Sequence, residues 1–248
     1  MFAHSATRPS LKLTFILFAC VCASAGPAAA NKRRAPAGGQ RAVVVDERLA
    51  ALRTEPSLTA PLVQRLGRGR LLAIVGPARA RDGVSFYRVA VTRRTRGWLQ
   101  ADSVVAPARA HEDERLLRLI QASDDFERVA RARIFLDEFP RSALRPAVLL
   151  LYGVEAEETA AKLSHDAERR LKEDRLPAGG APLYSYYLNY AGLDRYRRQG
   201  LTFLFAPATK RFHYDGASWR ELVRRYPRSA EAGEAQRRLA SLARVAVR

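Results

Sequence analysis

The sequence predicts an all-β unit followed by an all-α unit, and three observations carry that division. Between residues 41 and 107, short apolar runs are separated by Gly- and Pro-containing turns. From His111 onward the apolar period lengthens from that of a strand to that of a helix. Within the second half, a nine-residue segment recurs 87 residues further on. A chain of 248 residues is long enough for one or two domains with cores of their own.

Ala42–Val45 is the first strand-like run, and Leu49–Arg53 is the second, ended by Glu55-Pro56. Gly67-Arg68-Gly69 punctuates before Leu71–Val75, which stops at Gly76-Pro77. Arg81-Asp82-Gly83 reads as a turn into Phe86–Val91. There, period two places Tyr87, Val89 and Val91 on one face, the core, and Phe86, Arg88 and Ala90 on the other. Thr92–Arg96 is a polar turn, and Gly97–Gln100 returns as a strand. Five short strands in this span fit a small barrel over residues 41–108.

Leu116, Leu117, Leu119 and Ile120 mark a short helix. Phe126, Val129, Ala130, Leu136 and Phe139 mark a second, with Ser123 or Asp124 as its cap and Pro140 as its stop. Ser142 is placed to cap a third helix that carries Pro146 in its first turn and runs as far as Leu171. Leu176–Pro182 is a break. Tyr184–Gly216 is rich in aromatics, in which Leu201–Phe205 and Arg211–Tyr214 can pair as a β-hairpin insert, and these rings serve either as a binding surface or as core. Ser218-x-x-Glu221 reads as a capping box before the last helices.

The first half resembles bacterial SH3-like domains. The residues that carry the resemblance are Arg53 with Pro56 and Ser57, Gly69 with Leu72 and Ile74, Phe86, Tyr87, Val89 and Val91, and Gly97-Trp98-Leu99. Ala51-Leu52 stands where the family usually has Asn, and Phe86 replaces the commoner Trp. The resemblance implies binding and tethering rather than chemistry. It points to Arg53, Phe86, Tyr87, Arg88 and Trp98 as ligand contacts, the arginines meeting a carboxylate of a wall stem peptide in bidentate fashion. The other reading is that Tyr87 and Trp98 fill the small core.

The second half, residues 111–248, is similar in part to tetratricopeptide-like repeats. Phe135–Ala143 aligns with Leu222–Ala230, each a helix ending in an aromatic-Pro-Arg-Ser turn followed by an alanine-rich helix. The 87-residue offset exceeds the family's usual spacing, so two units are legible. A helix pair cannot bury its own apolar face and must stack on a neighbour, and small residues such as Ala147, Ala232 and Ala235 allow close approach.

Residues 1–30 have the order of a secretory signal: Arg8 and Lys12, an apolar run Leu13–Cys22, then Ala28-Ala29-Ala30. Residues 31–40 read as a flexible basic linker. Cys20 and Cys22 are the only cysteines, so a chain cleaved near Asn31 has no thiol. Leu17-Phe18-Ala19-Cys20 approximates a lipoprotein box, with Cys20 as the residue that would be lipidated. The expected location is therefore the periplasm or cell envelope. The net charge of +18, spread along the chain without one dense block, then suits acidic membrane surfaces, wall polymers or acidic proteins rather than nucleic acid.

Catalytic sets are sparse. His111, His165 and His213 lack metal-ligand spacing, and neither a nucleophile elbow nor a phosphate loop occurs. Glu158 and His165 are seven apart on one helix face, Glu155 and Glu157 lie nearby, and His213-Tyr214-Asp215-Gly216 is a turn before Ser218. The expectation is a non-catalytic envelope adaptor without metal or cofactor, whose barrel contacts a peptidoglycan stem peptide or envelope protein and whose helices dock a partner. The alternatives are a wall-modifying enzyme or an accessory activator of a peptidoglycan hydrolase, the former borne by Glu158 and His165, and a scaffold whose barrel has lost its ligand.

Overall fold

In the computed structural model, residues 38–81, 83–171 and 181–246 are described. The predicted signal of residues 1–30, Cys20 with its lipoprotein box, and linker residues 31–37 lie outside them.

The run Ala42-Val43-Val44-Val45 does not alternate, and the structure shows why. It lies in and just beyond β1 (Gln40–Val44) and is buried on both faces. Ala42 and Val44 enter a cluster with Leu52, Leu72, Ile74, Val89 and Leu99, inside the sheet. Val43 and Val45 face the other way, into a cluster with Leu116, Phe135 and Leu149 of the helices. Sheet and helices thus share a core.

Seven strands form one antiparallel sheet: β1, β2 (Ala51–Arg53), β3 (Leu62–Arg65), β4 (Leu71–Arg81), β5 (Val84–Ala90), β6 (Arg96–Gln100) and β7 (Val104–Val105). Their spatial order is β3-β2-β6-β5-β4-β1-β7. The expected five are all present, β3 and β7 being additional. The strand expected to stop at Gly76-Pro77 continues to Arg81, because the β4–β5 register shifts between Ile74 and Ala78 and so places the proline in a bulge. Gly97 explains the Gly-Trp pair. A Cβ there would meet the Arg53 carbonyl at 2.6 Å, so only glycine lets β2 cross β6 this closely.

The helices are α1 (Glu112–Gln121), α2 (Asp125–Glu138), α3 (Arg145–Arg170), α4 (Leu183–Leu188), α5 (Gly192–Arg197), α6 (Ala217–Arg225) and α7 (Ala232–Ala246). Three predicted caps are corrected. Asp124 precedes α2 but its side chain caps no amide, pairing instead with Arg128, while the Ser123 hydroxyl turns back to the Leu119 carbonyl. Ser218 lies inside α6 with its hydroxyl buried and unbonded. Asp215 takes the Ala217 amide instead, Gly216 makes the left-handed entry at φ 80°, and Glu221 is drawn off by Arg145 at 2.9 Å. Ser142 is likewise not the cap of α3: Leu144 holds that position without a side-chain cap, the Ser142 hydroxyl accepting the Leu144 amide in the turn before it, and Pro146 falls in the first turn.

The internal repeat is a repeat of backbone. Phe139 N–H bonds the Phe135 carbonyl, as Tyr226 bonds Leu222. The pairs Ser142–Phe139, Arg145–Ser142 and Val148–Leu144 recur as Ser229–Tyr226, Ala232–Ser229 and Ala235–Glu231. Helix pair α2–α3 stacks on α6–α7 through α3 and α6. At that crossing, a Cβ on Gly153 would lie 2.2 Å from Trp219 Nε1, so the glycine admits the fully buried indole onto α3. Between the pairs, β8 (Phe203–Ala206) and β9 (Arg211–Tyr214) form the expected hairpin, packed on α3. The aromatic segment is mostly core: Tyr187, Tyr196, Phe203, Phe212 and Tyr214 are buried, while Tyr184 is exposed.

Candidate ligand-binding surface

The outer face of the sheet is divided. At the β1–β7 end it is apolar and covered: Val43, Val45 and Val105 belong to the helical core. A buried polar seam borders this contact. Arg131 of α2, 4% exposed, donates from Nε to the Val45 carbonyl at 3.1 Å and from Nη2 to Asp46 Oδ2 at 3.1 Å, and its Nη1 reaches Ser123 Oγ. Arg48 binds the same Asp46 carboxylate in a two-pronged contact at 3.0 and 2.6 Å. That contact holds the Asp46 carboxyl below its usual range, while burial lowers the Arg131 pKa. Arg68, from the turn before β4, grips Glu127 of α2 at 2.6 and 2.7 Å.

At the other end, β3-β2-β6-β5, the same face carries a polar and aromatic row. Leu62 lies opposite Arg53, Arg53 opposite Trp98, and Trp98 opposite Arg88. Directly paired residues share a face with their Cβ atoms about 4.5–5.5 Å apart, so this is one continuous line across four strands. Next along it, Gly76 leaves room, since a Cβ there would be 3.3 Å from Arg88 Cβ. Arg88 and Leu62 are exposed, and Arg53 and Trp98 are half-buried. Arg65, paired with Ala51 two residues before Arg53, and Arg96, two residues before Trp98, are exposed on the same face. These four strands contain no acidic residue.

The row can bind without reacting. A guanidinium fork pairs with a carboxylate in two parallel hydrogen bonds, and an indole offers a broad apolar face with one donor. One arm of Arg53 is already engaged: Nη1 donates to the Ala60 carbonyl at 2.6 Å and fixes the 54–61 loop beside the row.

Of the five residues the sequence singles out, Arg53, Arg88 and Trp98 meet here and two do not. Phe86 is 1% exposed, which corrects its expected place as a surface contact. Tyr87 lies on the inner side against the small core, where Arg109 bonds its hydroxyl and covers its ring at 4.4 Å. Leu58, Leu62, Val63 and Arg65 were not anticipated. The signal for them was Ala60-Pro61-Leu62-Val63, a proline opening an apolar pair, as at the start of an edge strand.

The groups considered for catalysis are dispersed. Glu158 and His165 are both exposed on α3. Glu155 is buried and its carboxyl is pushed up by that burial, against the opposing pull of Arg128, whose Nη1 lies at 2.8 Å. His213 Nδ1 is 4.0 Å from Glu157 Oε1, and Asp215 serves the turn into α6. A cleft of about 510 Å³ opens where Pro107, Arg109 and His111 meet Phe139, Arg141 and Ser142, and there the Ser142 hydroxyl is bound to Asp113 at 2.6 Å. Among the described residues, no group of three or more His, Cys, Asp or Glu is placed to hold a metal ion, and no helix is long and apolar enough to cross a membrane.

Comparison with protein-family models, with curated proteins and with solved structures gives no match.

Proposed function

We propose that this protein is a non-catalytic binding adaptor of the cell envelope. In this reading the sheet is an SH3-like barrel that contacts a wall stem peptide or a peptide of an envelope protein, and the stacked helix pairs are a tetratricopeptide-like module that docks a second protein. The observation that carries it is the Leu62–Arg53–Trp98–Arg88 row across four strands, whose ends Leu62 and Arg88 are exposed. Two guanidinium groups flanking an indole suit a ligand that joins a carboxylate to apolar surface. The order of residues 1–30 supports export, and the charge of +18 suits an anionic wall or membrane setting. On the helical half, Tyr184, Leu188 and Leu204 are exposed apolar side chains on α4 and β8 that a partner can cover.

The test is co-sedimentation of residues 31–248 with purified peptidoglycan sacculi and capture of partners from envelope extract. Trp98→Ala and the pair Arg53→Gln/Arg88→Gln are expected to lower sacculus binding at least tenfold at unchanged circular dichroism. Release of soluble muropeptides by the wild-type protein, lost in Glu158→Gln or His165→Ala, contradicts the reading.

A further inference from the structure

Among the described residues, three of the six exposed large apolar side chains lie within one short segment: Leu58 at 48%, Leu62 at 50% and Val63 at 43%. That segment is not loose. Arg53 Nη1 holds the Ala60 carbonyl, Thr54 N–H bonds the Pro61 carbonyl, and Ala60 N–H bonds the Ser57 carbonyl. The Ser57 hydroxyl takes the Thr59 amide, and Ser57 and Ala60 are buried as anchors. The loop therefore presents Leu58 and leads into β3 with its conformation already set, which removes part of the ordering cost of binding.

β3 ends the sheet. Among the described residues it pairs with β2 alone, so its outer edge offers a row of main-chain donors and acceptors. Proteins usually blunt such an edge with several charges or cover it, yet β3 carries one charge, Arg65, beside two exposed apolar residues. The strands beside the edge carry cations and no acid: Arg53, Arg65, Arg88 and Arg96 share the outer face, with Glu55 exposed in the adjoining 54–61 loop.

We propose that the β3 edge receives an extended, acid-bearing peptide segment of a partner protein as an added strand, with main-chain hydrogen bonds to β3, apolar side chains over Leu58, Leu62 and Val63, and carboxylates on Arg65 and Arg53. This rests on the reading of the open half of the sheet as a binding face and names the partner chemistry. Strand addition draws affinity from the backbone and specificity from alternate side chains, which is the combination this edge provides. Charge selects the occupant. A second copy of this chain docked edge to edge would bring Arg65 and Arg53 against their own counterparts, and the like charges disfavour it.

The probe is a fluorescein-labelled heptapeptide of alternating valine and glutamate, capped at both ends, titrated in fluorescence anisotropy. Three controls accompany it: the same peptide N-methylated at alternate residues, a valine–lysine version, and a scrambled glutamate-rich peptide of equal charge with two prolines. The valine–glutamate peptide is expected to bind, the N-methylated and proline peptides at least tenfold more weakly, and the valine–lysine peptide not at all. Leu62→Asp and, independently, Val63→Asp are expected to weaken binding tenfold or more, both positions being exposed enough to leave the fold intact. Arg141→Gln, at the distant α2–α3 turn, is expected to change nothing. Equal binding of the N-methylated and parent peptides, or dimerisation of the free protein in sedimentation that Leu62→Asp abolishes, overturns the proposal. Sacculus binding that survives Leu62→Asp while the peptide fails to bind sinks strand addition and leaves the adaptor reading standing.

Discussion

The two ends of the sheet's outer face differ in sequence by a few residues and in fate entirely. At one end Val43, Val45 and Val105 project from β1, its flank and β7, and helices cover them. At the other, Arg53, Trp98 and Arg88 occupy outward positions of β2, β6 and β5, where Arg88 is exposed and Arg53 and Trp98 are half-buried. The backbone is the same ladder throughout, so side chains alone decide which half becomes core and which becomes surface. The covered half is sealed at its border by charges: Arg131, Asp46, Arg68 and Glu127 tie strand ends and turns to α2.

The largest expected effect separates a fully buried aromatic from a half-buried one among the residues expected as ligand contacts. Phe86→Ala removes a fully buried ring and is expected to cost about 3–5 kcal/mol in denaturant unfolding, whereas Trp98→Ala costs clearly less and strikes binding. If the two substitutions destabilise equally, the division of the face is wrong.

Arg131→Ala probes the sealed border. It strips the Val45 carbonyl of a donor and takes one cation from Asp46, and such losses from buried pairs run to about 3–5 kcal/mol. Arg131→Met, which keeps the packing, is expected to cost less, a difference visible in the urea midpoints.

A third substitution tests the same logic of side chain against backbone at the helix crossing. Gly153→Ala places a methyl on Trp219 and is expected to cost about 1–3 kcal/mol by overpacking, with a matching change in tryptophan fluorescence.

Acidification gives the smallest and most specific effect. The Asp46 carboxyl is held below its usual range by its hydrogen bonds to Arg48, opposed by burial. A depressed folded-state pKa contributes stability above the unfolded carboxylate pKa and loses it as the pH falls through the folded value. Asp46→Asn is therefore expected to be less stable than wild type at pH 7 and to lose less on acidification to about pH 3. An unchanged acid limb in the urea midpoints would remove Asp46 from the border's account.

Much of the architecture could be read from the chain. The turn residues separated five strands correctly, and Phe139-Pro140-Arg141-Ser142 with Tyr226-Pro227-Arg228-Ser229 gave the repeated turn, because proline after an aromatic end-stop fixes backbone locally. What could not be read depended on tertiary partners. Phe86 alternates like a surface residue, yet the folded sheet buries it. Ser218 and Glu221 have capping-box spacing, yet Arg145, seventy-six residues away, claims the glutamate. The burial of β1 on both faces was written in Val43-Val44-Val45, an unbroken apolar run where a strand with one wet face would alternate. Of the Leu62–Arg53–Trp98–Arg88 row, Arg53 and Trp98 were legible from the motif and Arg88 from its place in the strand beside it. Leu62 and its neighbours were not, because an edge position is a property of strand order rather than of any local pattern.

Hydrogen exchange measured with and without saturating solubilised stem peptide compares the two ends of the sheet in one experiment. Slowed exchange over Arg53–Arg65 and Arg96–Gln100, with Gln40–Val45 unchanged, is the predicted result. Protection confined to the helices, or none in the sheet, would contradict the assignment of its open half as the binding face.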